Sequence, residues 1–258
     1  MKLSIIMPGV RIKNWLKVYQ SIPNATTLPK ENYELVIVSP YDLPPELQGV
    51  NNVRLIKDWG CPTRCHQLGL LHSTGDYIVW GADDGTLLPG LAIDKAFASM
   101  PGKKGVVSMR YGESYKAAKL EKLSWWRVKN FGLLRRLKYL PQHYMLIMIA
   151  LMRRSYLMKM GGWDCRFEQP GISCVDLAVR LQNDGAQSVL GEKLWHFNTE
   201  PGEIGGSQAP VIEAHKLNDT PLLVSTYNHK SSRIRARIDF DNWKQAEAVW
   251  SRRFPGGK

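Results

Sequence analysis

The chain has 258 residues, with 35 Lys and Arg against 23 Asp and Glu, giving a formal charge of +12. At 44% hydrophobic and 22% charged, with a mean hydropathy of −0.28, it has a globular composition rather than a disordered or fibrous one. The longest apolar stretch, within Tyr144–Met152, falls well short of the ~20 residues that span a bilayer. Pro8 interrupts the apolar start and no small-residue cleavage site follows, so no secretory leader is expected. Cys61, Cys65, Cys165 and Cys174 are too few for a disulfide scaffold and suggest a reducing, cytoplasmic setting.

The charge is concentrated. Glu113–Lys138 holds eight basic and two acidic residues, and Lys230–Lys258 holds eight basic and three acidic. The rest of the chain is almost neutral. This distribution argues for basic surfaces with local jobs rather than a protein that coats nucleic acid.

The first hundred residues alternate strands and helices. Lys2–Met7 reads as a buried parallel strand stopped by Pro8-Gly9, and Asn14–Ile22 as a helix with one apolar face. Glu34–Val38 and Asn52–Ile56 read as two more strands, and Pro62–Ser73 as a helix. Tyr77–Trp80 is a fourth strand, running into Gly81-Ala82-Asp83-Asp84-Gly85. Such alternation predicts an α/β fold with a mostly parallel sheet, and ligands bind beyond the carboxyl ends of its strands. The Pro8, Ser39 and Asp83-Asp84 turns are therefore expected to line one cleft.

The second half is less regular. Ala117–Leu140 reads as a basic helix, Tyr144–Met152 as a buried strand, and a short helix leads to Met160. Val175–Asn183 reads as an amphipathic helix stopped by Gly185, Leu194–His196 as a strand, Glu200–Gly206 as a lid loop and Asp239–Arg252 as a terminal helix.

Asp83 and Asp84 carry the clearest chemical signal. Adjacent carboxylates at the end of a buried strand suit Mg²⁺ or Mn²⁺ held together with substrate phosphates. Asp and Gly also form plain turns and caps, so the dipeptide alone leaves both readings open.

Taken in order, the motifs resemble those of the inverting GT-A glycosyltransferases of family 2 over about Leu3–Gly185. SIIMPG is similar to that family's opening strand and turn, and ELVIV to its second strand. The stretch from Gln67-Leu68-Gly69 to Ile78 resembles the approach to its aspartate motif, and ADDGTLLP that motif itself. RRSYLMKMGGWDCRF is similar to its acceptor-side segment, and CVDLAVRLQNDG to its Glu-Asp-x-Asp-Leu-x-x-Arg-Leu helix. The departures are Ala82 at the first aspartate, Ser39 at the base-contacting aspartate, and Ser173-Cys174 where Glu-Asp usually stands.

The resemblance implies transfer of a sugar, with inversion, from a nucleotide-diphosphate donor to a hydroxyl on a glycan or lipid-linked acceptor. The donor half would span about 1–100 and the acceptor half 101–205, followed by the lid loop and a basic extension at 206–258, all in one domain. It assigns the metal to Asp84, with Asp83 and His196, and the donor contacts to Pro8, Asp83 and Ser39, with Asp42 as a substitute for the missing base-contacting aspartate; Arg64 is a separate candidate for the nucleotide or its phosphates. Trp163 and Asp164 would meet the acceptor. Asp176 would take the acceptor's proton, since that carboxylate must face the sugar from across the cleft, and Glu168 is its reserve. Each of these residues also has a structural reading: a helix-terminal Asp, a satisfied His, a solvated Arg, a core Trp. Cys61-x-x-x-Cys65-His66 lacks the second pair that a zinc site requires. The basic segment with Trp125-Trp126 suits a helix packed on the sheet, or one lying on an anionic membrane; no nucleic-acid motif accompanies it.

Overall fold

A computed structural model describes residues 1–113, 145–198, 209–227 and 235–245. Its strands are β1 (Leu3–Pro8), β2 (Tyr33–Ser39), β3 (Val53–Lys57), β4 (Tyr77–Trp80), β5 (Gly85–Leu87), β6 (Gly105–Glu113), β7 (Ala150–Arg153) and β8 (Gln187–Phe197). They form one sheet in the order β3-β2-β1-β4-β7-β6-β8-β5. The pairings run β1, β2, β3, β4, β6 and β8 one way and β5 and β7 the other, so the sheet is mostly parallel.

The helices are α1 (Ile12–Ala25), α2 (Pro62–His72), α3 (Ala92–Ala98), α4 (Arg154–Lys159), α5 (Pro170–Asn183), α6 (Ala209–Ala214), α7 (Thr220–Tyr227) and α8 (Asn242–Gln245); a π-helical turn, His215–Asp219, joins α6 to α7. Side-chain alternation along the strands gives the sheet two apolar faces. Leu3, Ile5, Met7, Leu35 and Ile37 pack with Trp15, Val18 and Ile22 of α1 and Ile93 of α3. Ile6, Val36, Ile78 and Trp80 pack with Leu70 of α2 and Leu177 and Leu181 of α5. Strands covered on both faces read as unbroken apolar runs, which is why β1, β2 and β4 fall where the sequence predicts them.

The differences lie farther along. The run ending at Met152 becomes strand only from Ala150, although Leu146 and Ile147 are buried; the apolar signal there reports burial, not strand geometry. Helix α5 starts at Pro170, five residues before the predicted Val175. Pro170 is preset for a first turn, and the Gln169 side chain caps it by accepting from the Ile172 amide at 2.7 Å. Strand β8 has eleven residues rather than three, because ladder bonds to β6 carry its polar stretch. Strands β5 and β6 and helix α3 were not predicted. The basic helix 117–140 and the lid loop 200–206 lie outside the described residues, as does the second half of the predicted helix 239–252. Among the described residues no helix is long and apolar enough to cross a membrane, and the four cysteines are buried and form no disulfide.

Candidate functional site

The sheet brings the predicted donor turns together. Pro8 stands opposite Val38, with Ser39 next to it, and the Gly9 amide donates to the Val38 carbonyl at 2.9 Å. The Gly81 amide donates to the Ile6 carbonyl at 3.0 Å, so β4 delivers Asp83 and Asp84 beside the end of β1. The chain leaves β1 towards β2 and leaves the neighbouring β4 towards β5 at the opposite edge of the sheet, so a crevice opens between the ends of β1 and β4, the usual ligand site of such sheets.

Asp83 is buried and heavily bonded. One carboxylate oxygen accepts from the Val10 amide (2.6 Å), the Arg11 amide and Trp15 Nε1 (3.2 Å), and the other from Arg11 Nη1 (2.7 Å). Asn14 Nδ2 also donates to its carbonyl at 2.9 Å. Helix α1 has no acidic residue in its first turn and no capping side chain of its own. Asp83 supplies that negative charge from across the fold. With both oxygens engaged, Asp83 clamps the β1 turn to the start of α1.

Asp84 is only partly buried. The Asn198 amide donates to its carbonyl at 2.6 Å, and Gly85 and Thr86 pair with Phe197 and His196. The end of β8 thus runs alongside the aspartate turn and carries His196 with it. Among the described residues no three His, Cys, Asp or Glu side chains are grouped to hold a metal ion. A carboxylate and an imidazole on adjoining strands still suit a cation that draws its remaining ligands from a diphosphate.

Other predicted contacts are diverted. Ser39 is fully buried and its Oγ accepts from the Tyr41 amide at 3.0 Å. Asp42 points to solvent and pairs with Lys57 at 2.7 Å. Arg64 is buried, with Nε 3.0 Å from both Asp58 oxygens, and it donates to the Trp243 carbonyl while lying over that ring. It links α2 to α8 rather than presenting an unused cation to phosphate. The amide of Asp58 donates to the Ser39 carbonyl at 3.2 Å, which brings Arg64's partner to the end of β2.

The acceptor-side assignments change most. Trp163 is fully buried, stacked on His66 at 5.2 Å and edge-on to Trp80 at 5.1 Å, so it is a core ring and not a platform for sugar. Asp164, 2% exposed, binds Arg166 (2.7 Å) and Arg235. Burial alone would raise its pKa, but these two guanidinium groups overcome that and hold it at about 2. Asp176 is fully buried and accepts from Arg180 Nε (2.7 Å), Arg235 Nη1 and the Tyr227 hydroxyl. Burial opposes the charge on Arg235, yet Asp176, Tyr227 and Asp164 raise its pKa on balance. A general base needs an oxygen free for the hydroxyl it deprotonates; here both Asp176 oxygens are engaged inside the protein, where they hold Arg180, Arg235 and Tyr227. Glu168 is also buried; Asp219 accepts from its amide at 3.0 Å, and Thr63 Oγ1 donates to its carbonyl at 3.1 Å.

Among solved structures the chain is similar to residues 1–349 of S. aureus TarS in complex with UDP-GlcNAc. The match has 14% identity and a TM-score of 0.57, over 92% of this chain and 71% of that one. The same protein in complex with UDP matches at 12% identity and a TM-score of 0.57, over 96% and 70%. No protein-family model matches the chain, and no curated protein does. The fold is GT-A-like.

Within that fold, sequence reasoning missed the residues that hold the motifs. Arg11, Asn14 and Trp15 secure Asp83, and His66 Nε2 lies 3.1 Å from the Gly81 carbonyl at the base of the same turn. The available signal was local: Arg, Asn and Trp in the first helical turn after Pro8-Gly9. It carries no meaning until β4 brings Asp83 beside it. Gly161 and Gly162 adopt left-handed φ values of +88° and +67°, where a side chain would overlap Ile238 or Gln67.

Proposed function

We propose that this chain is a glycosyltransferase that moves a sugar from a nucleotide-diphosphate donor to a hydroxyl acceptor. The observation carrying the proposal is the junction of the β1, β2 and β4 ends with the Asp83-Asp84 turn, on a fold shared with a protein solved in complex with UDP-GlcNAc. Asp83 ties down the β1 turn and the start of α1 through the Val10 and Arg11 amides, and so fixes the floor of the crevice in which a donor would lie. Asp84 and His196 would hold Mg²⁺ or Mn²⁺, which supplies positive charge to the leaving diphosphate when bound.

Inversion requires the acceptor hydroxyl to attack from the face opposite the leaving group and lose its proton there. With Asp176 sealed in its Arg pair, Glu168 is the carboxylate we assign to that proton. Thr63 Oγ1 sits 3.1 Å from both the Glu168 carbonyl and Ser173 Oγ, so the Glu168 backbone lies close to the Ser173-Cys174 pair that stands where the resembling family has Glu-Asp. The same facts favour a second reading, donor binding without transfer, because Ser173 and Cys174 stand at that position.

Titration with UDP and nucleotide sugars, then transfer and donor-hydrolysis assays, separates the readings. Binding with turnover that is lost in Glu168→Gln supports the first. Binding without turnover on any acceptor supports the second, and absence of nucleotide-sugar binding sinks both.

A further inference from the structure

His66 lies on α2, fully enclosed between the donor turn and the Gly-Gly-Trp segment, and is 4% exposed. Its Nε2 is 3.1 Å from the Gly81 carbonyl, two residues before Asp83. A carbonyl only accepts, so Nε2 carries the proton and Nδ1 is bare. Nδ1 is buried and has no hydrogen-bond partner among the described residues. Desolvation lowers the pKa to about 4, the Gly81 bond opposing it, so the ring is neutral at physiological pH. The ring is held flat against Trp163 at 29°, and Trp163 packs edge-on to Trp80, the residue before Gly81. The next residue, Gln67, accepts from the Trp163 amide at 2.9 Å and donates to the Gly161 and Phe240 carbonyls at 3.0 and 2.8 Å. One turn of α2 therefore grips the acceptor-side turn with Gln67 and the donor-side turn with His66.

We propose that His66, as the neutral Nε2–H tautomer, is a positioning residue that sets the Asp83-Asp84 turn through the Gly81 carbonyl. The inference deepens the transferase reading and rests on it for its kinetic consequence, but not for its structural one. Losing the bond leaves a buried carbonyl without its donor, and the turn relaxes to regain one. That displaces Asp84 while leaving the Asp83 cage to hold the start of α1.

Two substitutions separate hydrogen bonding from packing. His66→Gln places an amide N–H where Nε2 stands; His66→Met keeps an unbranched, polarizable contact with Trp163 but cannot donate. In the first measurement, amide exchange at residues 81–87 is expected to speed up about tenfold in His66→Met and to stay within about threefold of wild type in His66→Gln. In the second, kcat/KM for the donor is expected to follow the same order, the loss falling in kcat. Nitrogen NMR of the wild-type ring should show the neutral Nε2–H form. An Nδ1–H tautomer, equal losses in both variants, or no loss in either overturns the proposal. If His66→Met fails to fold, His66→Gln decides: wild-type exchange supports the proposal and faster exchange overturns it. If the wild type neither binds nor turns over a nucleotide sugar, the transferase reading fails while the exchange result still judges His66.

Discussion

The Asp83-Asp84 turn and the stretch from Asp164 to Asp176 each bury aspartate against arginine, but to different ends. Around Asp83 the partners are two backbone amides, an indole N–H and one arginine, all from the β1–α1 junction, and its neighbour Asp84 stays partly open. Around Asp164 and Asp176 the partners are Arg166, Arg180, Arg235 and the Tyr227 hydroxyl, and both carboxylates are enclosed. The first arrangement holds a turn while leaving the adjacent carboxylate at the crevice. The second consumes both of its acids in holding the C-terminal segment. An acidic residue in a motif is chemically available only when its neighbours leave an oxygen for the substrate.

The comparison can be broken most forcefully at Asp176. Replacing it with Ala leaves Arg180 fully buried without its carboxylate, and removal of one partner from a buried pair costs about 3–5 kcal/mol. Denaturant unfolding should show that loss whether or not transfer is measurable. If Asp176→Ala folds as stably as wild type yet loses transfer, Asp176 belongs to the chemistry after all. At the Asp83-Asp84 turn the expected pattern is reversed. Asp84→Asn should lower kcat by about a hundredfold, roughly 2.7 kcal/mol on the barrier, with the unfolding midpoint unchanged.

A smaller effect comes from acid. The Asp164 pKa is lowered to about 2 in the folded chain from 3.8, so its contribution is fully present above pH 3.8 and is lost as pH falls through about 2. The contribution is at most about 2 kcal/mol. Unfolding measured from pH 5 down to pH 2 should lose that increment in wild type and not in Asp164→Asn. The smallest effect belongs to Asp42, paired with Lys57 in solvent at 89% exposure. Asp42→Ala should change stability by less than about 1 kcal/mol and leave nucleotide binding as it was; a large loss of binding would return Asp42 to the donor site.

The same contrast explains what the sequence discloses. Strands β1, β2 and β4 are legible because burial on both faces writes itself as a continuous apolar run, and the aspartate turn because it follows one. The role of each aspartate is not legible. Arg11 reaches Asp83 from 72 residues away and Arg235 reaches Asp176 from 59, and no local periodicity encodes such pairings. Trp163 shows the same ambiguity: an aromatic after two glycines suits a ligand platform or a core equally, and only the rings of His66 and Trp80 on either side decide it. The basic run Arg233–Arg237 is ambiguous in the same way. Within it Arg235 points inward to two carboxylates, so that part of the charge excess balances the interior rather than facing a polyanion.

Arg235 bridges Asp164 and Asp176, which sit on either side of the α5 start, and it comes from a segment that also donates the Ile238 amide to the Met160 carbonyl. The three charges are solvent to one another, so none can drift alone. In any lineage descended from this sequence, loss of Arg235 should arrive together with neutral residues at 164 and 176. Positions far apart in the chain would then be inherited as a single character, and their joint retention across relatives would reflect burial rather than catalysis.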